Sequence, residues 1–202
     1  MNPEVSDRTS HPALPAEGLE FQPVTTGRLP DLARFSAQHG KFRYCSCMRW
    51  RVTSTEYRNS AAEDRGEALE GLVRRGRPAG ILAYAEGKPV GWCSIAPRES
   101  YAALERYRAL PRIDEAEVWA VVCFFVDRRY RRQGVTLGLL GAALSYARAQ
   151  GARIVEGYPV EPGSRSYTYM GSPRTFLKAG FVDVTPPGQA RRVMRYCVPR
   201  EV

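Results

Sequence analysis

The segment Arg128-Arg129-Tyr130-Arg131-Arg132-Gln133-Gly134-Val135-Thr136 sets four arginines and a glycine between an apolar run ending at Val126 and a periodic run beginning near Gln133. Residues of these types at this spacing hold an anion. A helix start leaves backbone N–H groups unpaired with a partial positive charge, so several donors converge on whatever oxygen is placed there. Gly134 removes the side chain that would block close approach, and arginine forks match phosphate oxygens. Carboxylates offer a second kind of chemistry. Glu156 interrupts the apolar run 153–160, and Glu117 stands at the mouth of the run 117–126. A bare buried carboxylate costs several kcal/mol, so Glu156 must be ion-paired, protonated or functional. General base and partner of an arginine are both open readings of it. Cys45 and Cys47, with His39 nearby, invite a metal, but His11 and His39 are the only histidines and no second close cysteine pair exists. Buried thiols and no metal are the expectation.

The elements that must position these groups follow from periodicity. Leu19 to Val24 reads as a strand, and Leu29 to Ala37 as a short helix. Ala61 to Arg75 carries an amphipathic stripe stopped by Gly76. Ala79 to Ala85 and Pro89 to Ala96 flank Glu86-Gly87-Lys88 as a hairpin. Tyr101 to Ala109 reads as a short polar helix, and Glu117 to Val126 as a central strand covered on both faces. Gln133 to Gln150 repeats apolar residues at three- and four-residue spacing and ends at Gly151, the pattern of a helix. Arg153 to Val160 is a further strand, Pro173 to Ala179 a short helix ended by Gly180, and Val193 to Val198 a last strand. The sum is a mixed α/β sheet in one domain, residues 19–200, behind a loose arm of residues 1–18.

The run Cys123-Phe124-Phe125-Val126 followed by Arg131-Arg132-Gln133-Gly134-Val135-Thr136 resembles the central motif of GNAT acetyltransferases, with Thr136 where glycine or alanine is usual. Phe176-Leu177-Lys178-Ala179-Gly180-Phe181 is similar to the family's late helix and turn. The resemblance implies a single-domain, mostly antiparallel sheet flanked by helices, with splayed central strands. It implies acetyl-CoA as cosubstrate, its pyrophosphate on the amides of residues 131–136, its pantetheine arm along Phe124, Phe125 and Val126, and Phe176 beside it. The expected reaction moves an acetyl group to a primary amine, a small molecule by preference, by direct attack in a ternary complex. A bulge in the central strand would free a backbone N–H from residues 124–126 for the thioester oxygen. The family's usual carboxylate position falls near Ala120, so Glu156, with Glu117 as substitute, stands in as base. Its usual tyrosine falls on Phe176, so Tyr169 stands in as acid. The segment between the first two predicted helices lines the acceptor pocket in that family, which makes Trp50, Trp92 and Tyr101 candidate walls.

Composition bounds the alternatives. A chain of 202 residues with 44% hydrophobic and 25% charged residues can bury a continuous core without staples. No apolar run approaches the roughly 20 residues of a bilayer span, and residues 1–20 hold no hydrophobic stretch. Five scattered cysteines and no export signal point to a reducing cytoplasm rather than a disulfide framework. A net charge of +9, with lysine only at 41, 88 and 178, attracts anions. A nucleic-acid-binding module competes on charge alone, without a motif of its own. A non-catalytic acyl-CoA sensor competes because the usual acid and base are displaced. The expected partners are therefore a small amine acceptor, no nucleic acid and no membrane, in a monomer or homodimer.

Overall fold

An all-apolar strand is stable only where both of its faces are covered, and the strand Trp119–Val126 lies at the middle of the sheet with helices on either side. The computed structural model describes residues 18–199; most of the expected arm, residues 1–17, and the last residue of the expected domain lie outside the described residues. In chain order the elements are β1 (Leu19–Pro23), α1 (Leu29–Gln38), α2 (Gly40–Cys45), α3 (Ser54–Asn59) and α4 (Ala62–Arg74). There follow β2 (Ile81–Ala85), β3 (Lys88–Pro97), α5 (Ala102–Glu105), β4 (Trp119–Val126) and α6 (Val135–Ala149). Last come β5 (Ile154–Gly157), α7 (Pro173–Lys178), β6 (Val182–Asp183) and β7 (Met194–Cys197). The strands form one seven-stranded sheet in the order β1-β2-β3-β4-β5-β7-β6. Only β4 and β5 run parallel. This is the mixed, mostly antiparallel α/β sheet the sequence implies.

The two-residue alternation of the strands sorts the core into layers. Ile81, Ala83, Cys93 and Ile95 face α6, where Val135, Leu139, Leu140 and Ala143 cover them. Leu82, Tyr84 and Trp92 face the other way and pack on Leu32, Phe35, Phe42, Leu69 and Val73 of α1, α2 and α4. Gly91 sets the height of α6 over the sheet. A Cβ there would meet Val135 Cγ1 at 3.1 Å and Leu139 Cδ1 at 3.3 Å, so a bare backbone lets the first turn of α6 lie close against β3.

The sheet splits at its centre. β4 pairs with β5 only at Trp119↔Val155, Ala120↔Glu156 and Val121↔Gly157. β4 then runs on to Val126 with β3 alone beside it. The split starts where the β3–β4 register slips between Ser94↔Cys123 and Ile95↔Val121, leaving Val122 as a bulge residue. Past Gly157 the chain turns away, and the Val160 amide N–H donates to the Gly171 carbonyl at 3.0 Å. Among the described residues no helix is long and apolar enough to cross a membrane.

Candidate active site

The split between β4 and the chain after β5 opens a cleft of about 760 Å³. Cys123, Phe124, Phe125 and Val126 form one wall, Thr168, Tyr169 and Gly171 the opposite one, and residues from Lys41 to Tyr57 close the far end. The backbone of β4 presents polar groups to this space. The Asp127 amide bonds the Val90 carbonyl at 2.8 Å, which fixes the alternation so that Phe125 bonds toward β3 while Phe124 and Val126 face the gap. The Val126 carbonyl is taken by Arg131 Nε at 3.1 Å. The N–H groups of Phe124 and Val126 are thereby the backbone donors turned toward the gap, Phe124 the deeper of the two.

At the end of β4 the chain builds an anion cradle. Asp127 caps the turn Arg128–Tyr130, its carboxylate accepting from the Arg129 amide at 2.9 Å and the Arg129 guanidinium at 2.7 Å. The Arg129 hydrogen bond holds the Asp127 carboxyl below the usual range, so Arg129 is committed to structure. Gln133 Nε2 donates to the Arg129 carbonyl at 2.8 Å, a second brace on the turn. Arg132 at φ 64° and Gly134 at φ 80° are both left-handed, and this double reversal turns the strand into α6. No acceptor among the described residues takes the amides of Val135, Thr136 and Leu137, the first turn of a fifteen-residue helix. A second cavity of about 260 Å³ sits over them, lined by Arg131, Arg132, Gly134, Thr136, Thr175 and Lys178. Val126, Arg131 and Thr136 line both spaces, which joins them into one trough.

The other residues singled out in the sequence fall in different places. Tyr169 is half-buried in the cleft wall, and burial pushes its phenol well up. Phe176 lies wholly buried behind the wall, edge-on to Phe124 at 6.1 Å between centroids. Glu117 is exposed two residues before β4 and does not line the cleft. Glu156 is 1% exposed and also lies off the cleft. It accepts from Arg98 NH1 at 3.0 Å, Arg195 Nε at 2.8 Å and the Tyr158 hydroxyl at 2.6 Å. The ion-pair reading of Glu156 is thus the arrangement found, and it leaves neither oxygen for a substrate proton. Trp50 lines the cleft, whereas Trp92 and Tyr101 are fully buried away from it.

Some of the lining was not legible. Ser46 and Cys47 both take positive φ, 42° and 50°, and this reversal after α2 brings Cys45 and Cys47 to the cleft beside Cys123. Neither residue type signals such a turn. Burial raises the Cys45 and Cys47 thiols above their ordinary value, which favours the protonated form in the cleft wall. Among the described residues no group of histidine, cysteine or acidic side chains is arranged to hold a metal. Lys178 reaches the anion cradle from α7, a neighbour in space only. Among the described residues the cleft lining contains cations and phenols but no aspartate, glutamate or histidine.

A model of the acetyltransferase (GNAT) family matches residues 45–165, a span that holds β4 and the cradle turn, while Lys41, Phe42, Thr168, Tyr169 and Gly171 of the cleft and Thr175 and Lys178 of the cradle lie outside it. No curated protein sequence gives a significant match. Among solved structures the chain is similar to a ribosomal-protein-alanine N-acetyltransferase from Brucella melitensis, at 19% identity and TM-score 0.51 over 88% of this chain and 99% of that one. It is also similar to an N-acetyltransferase from Staphylococcus aureus, at 13% identity and TM-score 0.52 over 90% and 99%. A third is the PaiA N-acetyltransferase from Thermoplasma acidophilum in complex with coenzyme A, at 14% identity and TM-score 0.50 over 89% and 98%. At these identities the likeness carries the fold.

Proposed function

The chain belongs to the GNAT acetyltransferase family, and on that footing we propose that it moves an acetyl group from acetyl-CoA to a primary amine of a small molecule by direct attack in a ternary complex. The observation that carries the reading is the continuous trough from the unpaired amides of α6 to the cleft beside Phe124. One end suits a diphosphate: oriented N–H groups, a glycine without Cβ, and the cations Arg131, Arg132 and Lys178. The other end suits an extended amide-bearing arm, which the backbone of Phe124, Phe125 and Val126 would hold as a strand holds its neighbour. Gln133, Val135 and Thr136 contribute through backbone and turn shape, and Phe176 braces Phe124 from behind.

Acetyl-CoA supplies an activated acyl carbon: the amine nitrogen bonds to it and loses a proton to water, the carbon–sulfur bond breaks, and the sulfur takes a proton from Tyr169, which water then restores. The chain's own part is to place and polarise. The Phe124 N–H is positioned to donate to the carbonyl oxygen as charge develops on it. Tyr169, kept protonated at neutral pH by burial, is the donor for the departing sulfur. Neither Glu117 nor Glu156 takes part as base in this reading. Lys41, Arg49 and Arg131 give the cleft a positive potential that favours the neutral form of a bound amine, so attack needs only water to receive the proton. The free thiols Cys45, Cys47, Cys93, Cys123 and Cys197 support a reducing, cytoplasmic setting.

Thiol release from acetyl-CoA across a panel of amines tests the proposal, with Tyr169→Phe expected to slow release and Glu117→Gln expected to leave it unchanged. The lack of any carboxylate or histidine on the cleft favours one other reading, a sensor that binds acyl-CoA without turnover. Thermal stabilisation by acetyl-CoA with no thiol release against any amine would select it.

A further inference from the structure

We propose that the acceptor is an amine that carries its own carboxylate, an apolar or aromatic amino acid, and that Arg49 is the group that holds that carboxylate. The inference rests on the acetyltransferase reading and assigns the far end of the same cleft. Other arginines turned toward the interior have partners. Arg98 meets Glu105 and Glu156, Arg195 meets Glu156 and Asp114, Arg51 meets the carbonyls of Pro78 and Ala79, and Arg65 those of Tyr44, Tyr57 and Ser60. Arg49 has none of this kind among the described residues. Its guanidinium carbon lies over two aromatic rings, 5.5 Å from the Trp50 centroid and 5.7 Å from the Tyr57 centroid, contacts that leave its N–H donors for a ligand.

The Trp50 ring, 1% exposed, forms the wall behind Arg49, with its Nε1 closed off from the cleft. A planar carboxylate matches the guanidinium fork. Among the described residues the lining holds Lys41, Arg49 and Arg131 and no acidic side chain, so a diamine or polyamine would enter a field of its own sign. Phe42, Tyr57 and Tyr169 complete an aromatic lining for the acceptor's side chain.

Matched pairs that differ only in the carboxylate test the assignment: phenylalanine against phenethylamine, leucine against isopentylamine, with putrescine as a dication. In thiol release by the full chain, the carboxylated member should show a kcat/KM roughly tenfold or more higher. Arg49→Gln should bring the ratio toward one by raising KM for the amino acid while KM for acetyl-CoA holds. Equal or better turnover of the amines that lack a carboxylate overturns the inference, as does an unchanged ratio in Arg49→Gln. Acetyl-CoA binding by calorimetry with neither turnover nor binding of any amino acid overturns it too, while sparing the cofactor site. Failure to bind acetyl-CoA at all would remove the acetyltransferase reading and this inference with it.

Discussion

Replacing Glu156 by glutamine separates structure from catalysis at the one buried carboxylate of the sheet. The change keeps shape and removes charge. In the folded protein both carboxylate oxygens are engaged, by Arg98 at 3.0 Å, Arg195 at 2.8 Å and the Tyr158 hydroxyl at 2.6 Å. Burial pushes the Tyr158 phenol well up, so it remains a donor at any working pH. Breaking a buried ion pair costs about 3–5 kcal/mol because the partner charge is left without compensation. Arg98 retains Glu105 and Arg195 retains Asp114, which places the loss near the lower end, about 3 kcal/mol. For a chain of this size that is a fall in Tm of roughly 6–12 °C. The assay is thermal unfolding of wild type and Glu156→Gln, with kcat measured well below both transitions. The expected outcome is a large drop in Tm with kcat per folded molecule changed little. An unchanged Tm with kcat lost by orders of magnitude would refute the reasoning and return Glu156 to the role of base.

Three further outcomes follow from other sites. Hydrogen bonds from Arg195, then from the Ala116 amide, lower the Asp114 carboxyl from 3.8 to about 2, against a small opposing effect of burial. That shift sets a ceiling of about 2.4 kcal/mol, and with the side chain 46% exposed solvent screening reduces it to about 1 kcal/mol. Because the folded pKa is the lower one, the contribution is full above about pH 4 and vanishes as pH falls toward about 2. Denaturant unfolding of Asp114→Asn should therefore differ from wild type at pH 7 and converge with it in acid; a constant difference would contradict the pairing. Gly157→Ala would set a Cβ 2.0 Å from Phe176 Cε1 in a fully buried site, with an expected loss of about 1–3 kcal/mol in the same unfolding assay. Gly134→Val forces a branched side chain into φ 80°, a strain of about 1–3 kcal/mol, and should weaken acetyl-CoA in calorimetry while the fold survives.

The features legible in the sequence were those whose cause is local. The cradle could be read because Gly134, its arginines and the apolar strand before it are contiguous, and the hairpin because Gly87 takes the positive φ its turn requires. Element order followed from periodicity, with boundaries off by one to three residues for most strands and helices. The short elements escaped. α3 carries a capping box between Thr53 and Glu56 that a search for that pattern would have found. α2 ends in two left-handed residues, Ser46 and Cys47, that no residue preference announces. The polar helix expected over 101–109 closes after Glu105. The site was legible up to the point where partners come from far along the chain. Both readings of Glu156 were open because Arg98, which decides between them, lies 58 residues away. Lys178 joins the cradle only through the packing of α7, and of three equal sequence candidates Trp50 alone reaches the cleft, Tyr101 lying deeper in the same cluster and Trp92 in the neighbouring one.

A crystal structure of the chain grown with coenzyme A tests the central claim most directly. The account predicts diphosphate oxygens within about 3 Å of the Val135 and Thr136 amides, with the thiol end beside Phe124. A nucleotide bound away from α6, with those amides facing solvent, would contradict it.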